Sequence, residues 1–175
     1  MKTIYIERST GLSRDGDWIE DLDLKGVGRI VVGTGPGSFA GIRSALAFAQ
    51  GYALATGCEV RGLPSACSLA EDGEKLAVVG DARQGKFWIA LFDGFKLEKD
   101  VFQVNQADLK GSVPMGYKVK TPDAQRIEAL LKEMFGERCL GGEIPTPDGL
   151  KRFAEACPAI LKSEPLPIYL NPAVR

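Results

Sequence analysis

Gly35, Pro36, Gly37 and Ser38 stand between an apolar run that ends at Gly33 and a helical stretch that begins at Phe39. A strand feeding a glycine turn that opens a helix aims free backbone N–H groups and the positive end of a helix dipole at one spot, which suits a phosphate. The residues "GPGSFA" fit G-x-G-x-x-A, and Glu59 lies at the distance along the chain where a dinucleotide fold wants an acid for the ribose. Three features oppose that chemistry. Glu59 opens the next apolar run instead of closing it, Pro36 removes one N–H donor, and no lysine follows the glycines as a P-loop demands. The second reading is structural: Gly35 and Gly37 supply backbone freedom for a tight turn, with Ser38 as N-cap.

Asp81 and Arg83, in "GDARQGKF", fall at a strand-to-turn junction where a carboxylate and a guanidinium can orient each other or a ligand. If the two halves of the chain are related lobes, Glu7, Arg8 and Asp81 converge in a cleft between them as a remnant pocket. The chain has no histidine, which excludes Ser-His-Asp and Cys-His nucleophile pairs, His-ligated zinc and imidazole acid/base work. Cys58, Cys67, Cys139 and Cys157 form no CxxC pair and read as reduced, buried thiols, so no metal is expected. The near balance of 22 basic and 23 acidic residues leaves no field to hold a polyanion, so nucleic acid is not a direct partner. "MKTIYIERST" lacks the apolar core of a signal peptide, and a cytoplasmic protein is expected.

These residues need elements to position them. "KTIYIE" (Lys2–Glu7) predicts a strand, "SRDGDWI" (Ser13–Ile19) a hairpin turn at Asp-Gly, and "VGRIVVG" (Val27–Gly33) a buried strand of parallel type. Phe39–Thr56 predicts a helix stopped by Gly57, and "CEVRGL" (Cys58–Leu63) completes a βαβ unit. "PSACSLAE" predicts a short helix opened by Pro64. Lys75–Ala82, Lys86–Phe92 and Phe95–Val104 predict an antiparallel meander turning at Gln84-Gly85 and Asp93-Gly94, with Trp88 and Phe92 on one core face. Thr121–Phe135 and Thr146–Cys157 predict helices that each open on a Thr cap followed by Pro, with a strand at "RCLGG" between them. In the tail, alternation of Leu166, Ile168 and Leu170 predicts a half-buried strand.

The helix itself suggests a third reading of the turn. Arg43 is its one charge, and Phe39, Ile42, Leu46, Ala49 and Ala53 form an apolar stripe that Ala45, Phe48, Tyr52 and Ala55 extend round the cylinder. Gly41, Ala45, Ala49 and Ala53 add a ridge of small side chains that permits close approach of another helix. One sheet covers one side only, so the chain's own second lobe or another polypeptide must cover the rest. A membrane is disfavoured by Arg43, Gln50 and the many Ala and Gly. Burying one such face, about 500 Å2, contributes on the order of ten kcal/mol before entropy costs.

"GTGPGSFAGIRSALAFAQGYA" resembles the signature of the TsaB (YeaZ) family, close to G-x-GPGSFTGLR followed by an alanine-rich helix; "VVGDARQGKFWIALF" and "LPIYL" resemble later segments of that family. The resemblance implies an α/β fold of the actin, Hsp70 and sugar-kinase (ASKHA) type: two lobes with duplicated mixed β-sheets and helices, here residues 1–72 and 73–175. It implies a non-catalytic adaptor, without cofactor, that binds TsaD and through it TsaE. TsaD transfers a threonylcarbamoyl group to the adenosine beside the anticodon of tRNA, and tRNA is met only indirectly. The partner-binding residues are expected on the helix: Phe39, Gly41, Ile42, Arg43, Ala45, Phe48, Ala49 and Tyr52. A homodimer through the same helix is expected when the partner is missing. The alternative is a small nucleotide-dependent phosphotransferase with Glu7 or Asp81 on Mg2+ and the Gly35–Ser38 turn on phosphate. Two departures from the family pattern stand out. Glu7-Arg8-Ser9-Thr10 replaces the usual Asp-Thr-Ser, and only Glu20–Gly26 stands where members carry a long helix, so the amino-terminal lobe is shortened.

Overall fold

The computed structural model describes residues 1–11 and 18–170 of the chain. The hairpin expected at Ser13–Ile19 lies almost wholly outside the described residues. The chain forms two compact units, Met1–Ser65 with Thr146–Ile168, and Ala66–Pro145 with Tyr169–Arg175. It returns to the first unit at Thr146, a second crossing that a single division at residue 72 does not include.

In the first unit, β1 (Lys2–Ile6), β2 (Val27–Gly33) and β3 (Glu59–Leu63) form a parallel sheet in the order β1-β2-β3. The middle position of β2 matches its composition: Ile30, Val31 and Val32 are all fully buried, so both faces of the strand are covered, as the unbroken apolar run requires. Helix α1 (Phe39–Thr56) crosses between β2 and β3 and packs with Ile6, Ile30 and Val32 in one core. Both ends of α1 follow from sequence. Ser38 caps the start, its side chain accepting from the Gly41 amide, and Gly57 ends it at φ 74°, a left-handed conformation that costs glycine nothing. Residues 18–26 are turns and extended chain without a helix, in keeping with a shortened first lobe. The tail departs from expectation. Leu166 is 72% exposed and no strand forms; instead Lys162 bridges to Gly62, Pro165 is buried, and the Ile168 amide donates to the Thr34 carbonyl at 2.9 Å.

The second unit holds a mixed sheet. β4 (Lys75–Arg83) and β5 (Lys86–Asp93) pair antiparallel through a two-residue turn, Gln84 and Gly85 at φ 54° and 72°. The expected strand Phe95–Val104 is two pieces, β6 (Lys96–Leu97) and β7 (Phe102–Asn105), both antiparallel to β5. Two elements escaped the sequence reading, α2 (Gln106–Ser112) and β8 (Lys118–Thr121). β8 lies parallel to β4, and β9 (Cys139–Gly142) lies parallel to β8. Helix α3 runs Ala124–Phe135, not from a cap at Thr121, which is buried at the end of β8; α4 (Pro147–Ala156) does open on its Thr146 cap. The order β4-β8-β9 with α3 after its middle strand repeats β1-β2-β3 with α1 after β2, a likeness of topology without a literal sequence repeat.

Trp88 and Phe92 are core residues, at 2% and 0% exposure. Trp88 lies directly across from Gly80, and a Cβ at Gly80 would overlap the indole ring. Gly80→Ala therefore forces the ring off its seat in a filled core and is expected to cost about 1–3 kcal/mol, read as a lower denaturation midpoint at unchanged m-value.

Candidate functional site

The glycine turn is held by the chain itself. The Thr34 amide donates to the Leu63 carbonyl and the Gly35 amide to Ser65 Oγ, both at 2.9 Å, while the Ser65 amide returns a bond to the Gly35 carbonyl. The Ser38 amide donates to the Ser9 carbonyl at 2.5 Å, the Gly41 amide to Ser38 Oγ at 3.3 Å and the Ile42 amide to the Ser38 carbonyl at 3.0 Å. The amides of Thr34, Gly35, Ser38, Gly41 and Ile42 are thus engaged inside the protein, which takes them from any phosphate. The glycines explain the rest. A Cβ at Gly33 would overlap the Glu7 carboxylate, one at Gly37 the Ser9 carbonyl, and one at Gly41 the Arg8 carbonyl. Their absent side chains let the Glu7–Ser9 segment lie against the end of β2, the turn and the first turn of α1. The motif serves close approach of protein to protein.

Helix α1 has two sides. Gly41, Ile42, Ala45, Leu46 and Ala49 recur at helical spacing and are buried within the first unit. This corrects the expectation that Gly41, Ile42, Ala45 and Ala49 meet a partner: the small-residue ridge lets α1 settle closely on its own sheet and on the Arg8 carbonyl. Phe48 and Tyr52 are half-buried under the chain before β2. Trp18 meets Phe48 edge-on with ring centroids 5.4 Å apart, and the Tyr52 hydroxyl donates to the Leu24 carbonyl at 2.9 Å. The Trp18–Leu24 segment partly covers this flank. The remaining side faces outward and carries Phe39, Ala40, Arg43, Ser44, Ala47, Gln50, Gly51, Leu54 and Ala55. Phe39 is 56% and Leu54 90% exposed, and the Arg43 guanidinium lies 4.9 Å from the Phe39 ring centroid. Of the expected partner residues, Phe39 and Arg43 lie on this outward side.

Glu7 belongs to the first unit, Asp81 and Arg83 to the second. Burial pushes the Glu7 carboxyl above its ordinary value, against hydrogen bonding from Ser9, Ser65 and the Arg8 backbone. Its Oε1 accepts from the Ser9 amide at 2.6 Å. In the second unit Asp81 and Arg83 are a turn pair. Asp81 Oδ1 accepts from the Arg83 amide at 2.8 Å, and Oδ2 lies 3.0 Å from Arg126 Nε and 3.7 Å from the Arg83 guanidinium. Asp123 closes the group, accepting from the Asp81 amide at 2.9 Å and pairing with Arg126. The two acids are neutralised by two arginines, a latch between β4, its turn and α3. Lys120 is a second pin of this unit. Its ammonium is 2.7 Å from Glu71 and 2.6 Å from Glu143; burial pulls it down, but bonding to both carboxylates leaves it above the usual lysine value. Among the described residues, no three His, Cys, Asp or Glu gather as metal ligands, and no helix is long and apolar enough to cross a membrane.

Comparison with known proteins bears on what this arrangement belongs to. The model of the family TsaD, described as tRNA N6-adenosine threonylcarbamoyltransferase, matches residues 19–148. No curated protein matches the sequence significantly. Among solved structures, YeaZ from Pseudomonas aeruginosa is similar with a TM-score of 0.68 at 16% identity, over 96% of this chain and 100% of that one. A crystal structure of an uncharacterized protein with similarity to peptidase YEAZ from Pseudomonas aeruginosa is similar with a TM-score of 0.66 at 17% identity, over 97% and 99%. At these identities the structures speak for the fold, and the family match speaks for membership. With well over half of its 175 residues matched, the chain belongs to the TsaD family and is a TsaB/YeaZ-like member of it.

Proposed function

We propose that this chain is a non-catalytic adaptor, without cofactor, that docks a TsaD-type protein, and through it TsaE, in threonylcarbamoyl transfer to the adenosine beside the anticodon of tRNA. Its two sheets are read as shortened and complete lobes of the ASKHA type, working in the cytoplasm, with tRNA met only through the partner. The observation that carries the proposal is the outward side of α1, an 18-residue helix whose uncovered surface presents Phe39, Ala40, Ala47, Gly51 and Leu54 beside two uncharged polar side chains, Ser44 and Gln50, and a single charge, Arg43. Apolar surface of that kind on a regular helix marks a docking face. Arg43, already stacked on Phe39, supplies a directional hydrogen-bonding anchor at its amino-terminal end.

Mixing the purified chain with the TsaD-type protein of its own organism tests the reading. A single co-eluting complex is expected, and two separate peaks at micromolar concentration reject it. A homodimer through the same side of α1 is the expected state of the chain alone.

The phosphotransferase alternative requires Glu7 or Asp81 on Mg2+ and the Gly35–Ser38 turn on phosphate. Asp81 is committed to Arg83 and Arg126, and the Gly35 and Ser38 amides of the turn to Ser65 and Ser9. Titration calorimetry with ATP and Mg2+ is expected to give no binding heat; magnesium-dependent heat would return the enzyme reading to first place.

A further inference from the structure

Glu7 has no part in the docking reading. It ends the segment leaving β1 and is wedged where three parts of the first unit meet. A Cβ on Gly33 of β2 would overlap its Oε2 and come within 2.8 Å of Ser65 Oγ, so carboxyl and hydroxyl stand together over the end of β2. Oε1 accepts from the Ser9 amide, whereas Oε2 is buried with no hydrogen-bond partner among the described residues. Among the described residues, the groups set against the carboxyl are uncharged: Gly33 from β2, Ser65 after β3, and Ser9 with the Arg8 amide from its own segment. The adjoining cation, Arg8, places its guanidinium 4.7 Å from the Trp18 ring centroid. A buried carboxylate without a cation is costly, and a neutral carboxyl is the form that such a setting admits.

The same segment holds the docking helix in place. The carbonyl of Ser9 receives the Ser38 amide, and the carbonyl of Arg8 sits where Gly41 leaves room for it. We propose that Glu7 is a proton-operated latch: neutral, it seats residues 7–9 against the glycine turn and the first turn of α1, and ionised in the folded protein it unseats them. The latch does not depend on what α1 docks with. Its direction follows from linkage. The folded carboxyl holds its proton to higher pH than the unfolded one, so its stabilising contribution is full below the ordinary glutamate range and is lost as pH rises through the folded value.

The test uses the intact chain. In a carbon-13 NMR titration, the Glu7 carboxyl is expected to keep its protonated shift after the exposed glutamates have ionised. Between the ordinary glutamate range and that delayed step, hydrogen-exchange protection at Ser38, Gly41 and Ile42, corrected for intrinsic rates, should fall by about tenfold for each pH unit and level off once Glu7 has ionised. In Glu7→Gln, which keeps shape and removes the charge, that protection should stay flat, and the melting temperature should exceed wild type by a margin that grows with pH. The proposal is overturned if Glu7 titrates together with the exposed glutamates, if protection holds up to the Glu7 step, or if the fall persists in Glu7→Gln. Should the variant fail to fold, the wild-type titration and exchange measured together still decide.

Discussion

Ala47→Glu is expected to abolish the complex with a TsaD-type partner while leaving the chain as stable as before, and Ala45→Glu, two residues earlier, is expected to unfold the first unit. The two alanines are chemically alike and lie on opposite sides of α1. Ala47 is exposed on the outward side, so a glutamate there meets water and should change stability by no more than about 0.5 kcal/mol. In the complex it would place an unpaired carboxylate in an apolar contact, and a loss on the order of 3 kcal/mol, about 100-fold or more in affinity, is expected. Ala45 is fully buried against β2, where no cation waits for an added acid, and the cost there should exceed about 4 kcal/mol. Thermal melts of the two variants, run beside gel filtration with the partner, read both effects. A folded Ala47→Glu protein that still co-elutes would refute the docking face, whereas a folded, non-binding Ala45→Glu protein would refute the orientation of the helix.

That orientation was the part of the site that composition hid. The ends of α1 were legible because Ser38 and Gly57 are punctuating residues with backbone roles of their own. The inward direction was not, because alanines and glycines line both sides and Arg43 is the helix's one charge. With so little contrast round the cylinder, the sheet-facing stripe and the free stripe look alike until β2 is placed beneath one of them. The tripeptide Thr-Pro-Asp shows a second limit. At 146–148 the threonine side chain accepts from the Gly149 amide, three residues on, and caps α4. At 121–123 the threonine closes β8, and its hydroxyl accepts instead from the Asp123 amide, two residues on, which delays α3 to Ala124. The difference is made by burial: Thr121 is committed to a strand wedged between β4 and β9, and tertiary pairing overrides the local cap signal. The parallel strand β2 was legible for the opposite reason, since an unbroken apolar run leaves few ways to hide both faces.

Gly41→Ala and Gly51→Ala make the same change in the same helix and should move stability in opposite directions. Replacing glycine by alanine within a helix stabilises it by up to about 1 kcal/mol, because the unfolded chain loses freedom and the helix does not. Gly51 faces open space, so this gain should appear in full. At Gly41 the new methyl would overlap the Arg8 carbonyl, a backbone atom that no rotamer change can remove. Either residues 7–9 withdraw or the first turn of α1 tilts, and each route strains the bond from the Ser38 amide to the Ser9 carbonyl. Overpacking of this kind costs about 1–3 kcal/mol and a strained buried hydrogen bond adds about 1 more, so the net result should be a loss of about 1–3 kcal/mol after the helical gain is subtracted. Urea unfolding of the two variants at one pH measures the difference directly as shifts of midpoint in opposite senses. A stabilised Gly41→Ala would mean that the helix start is not pressed against the Glu7–Ser9 segment, and the glycine-rich turn would then need another reason for its glycines.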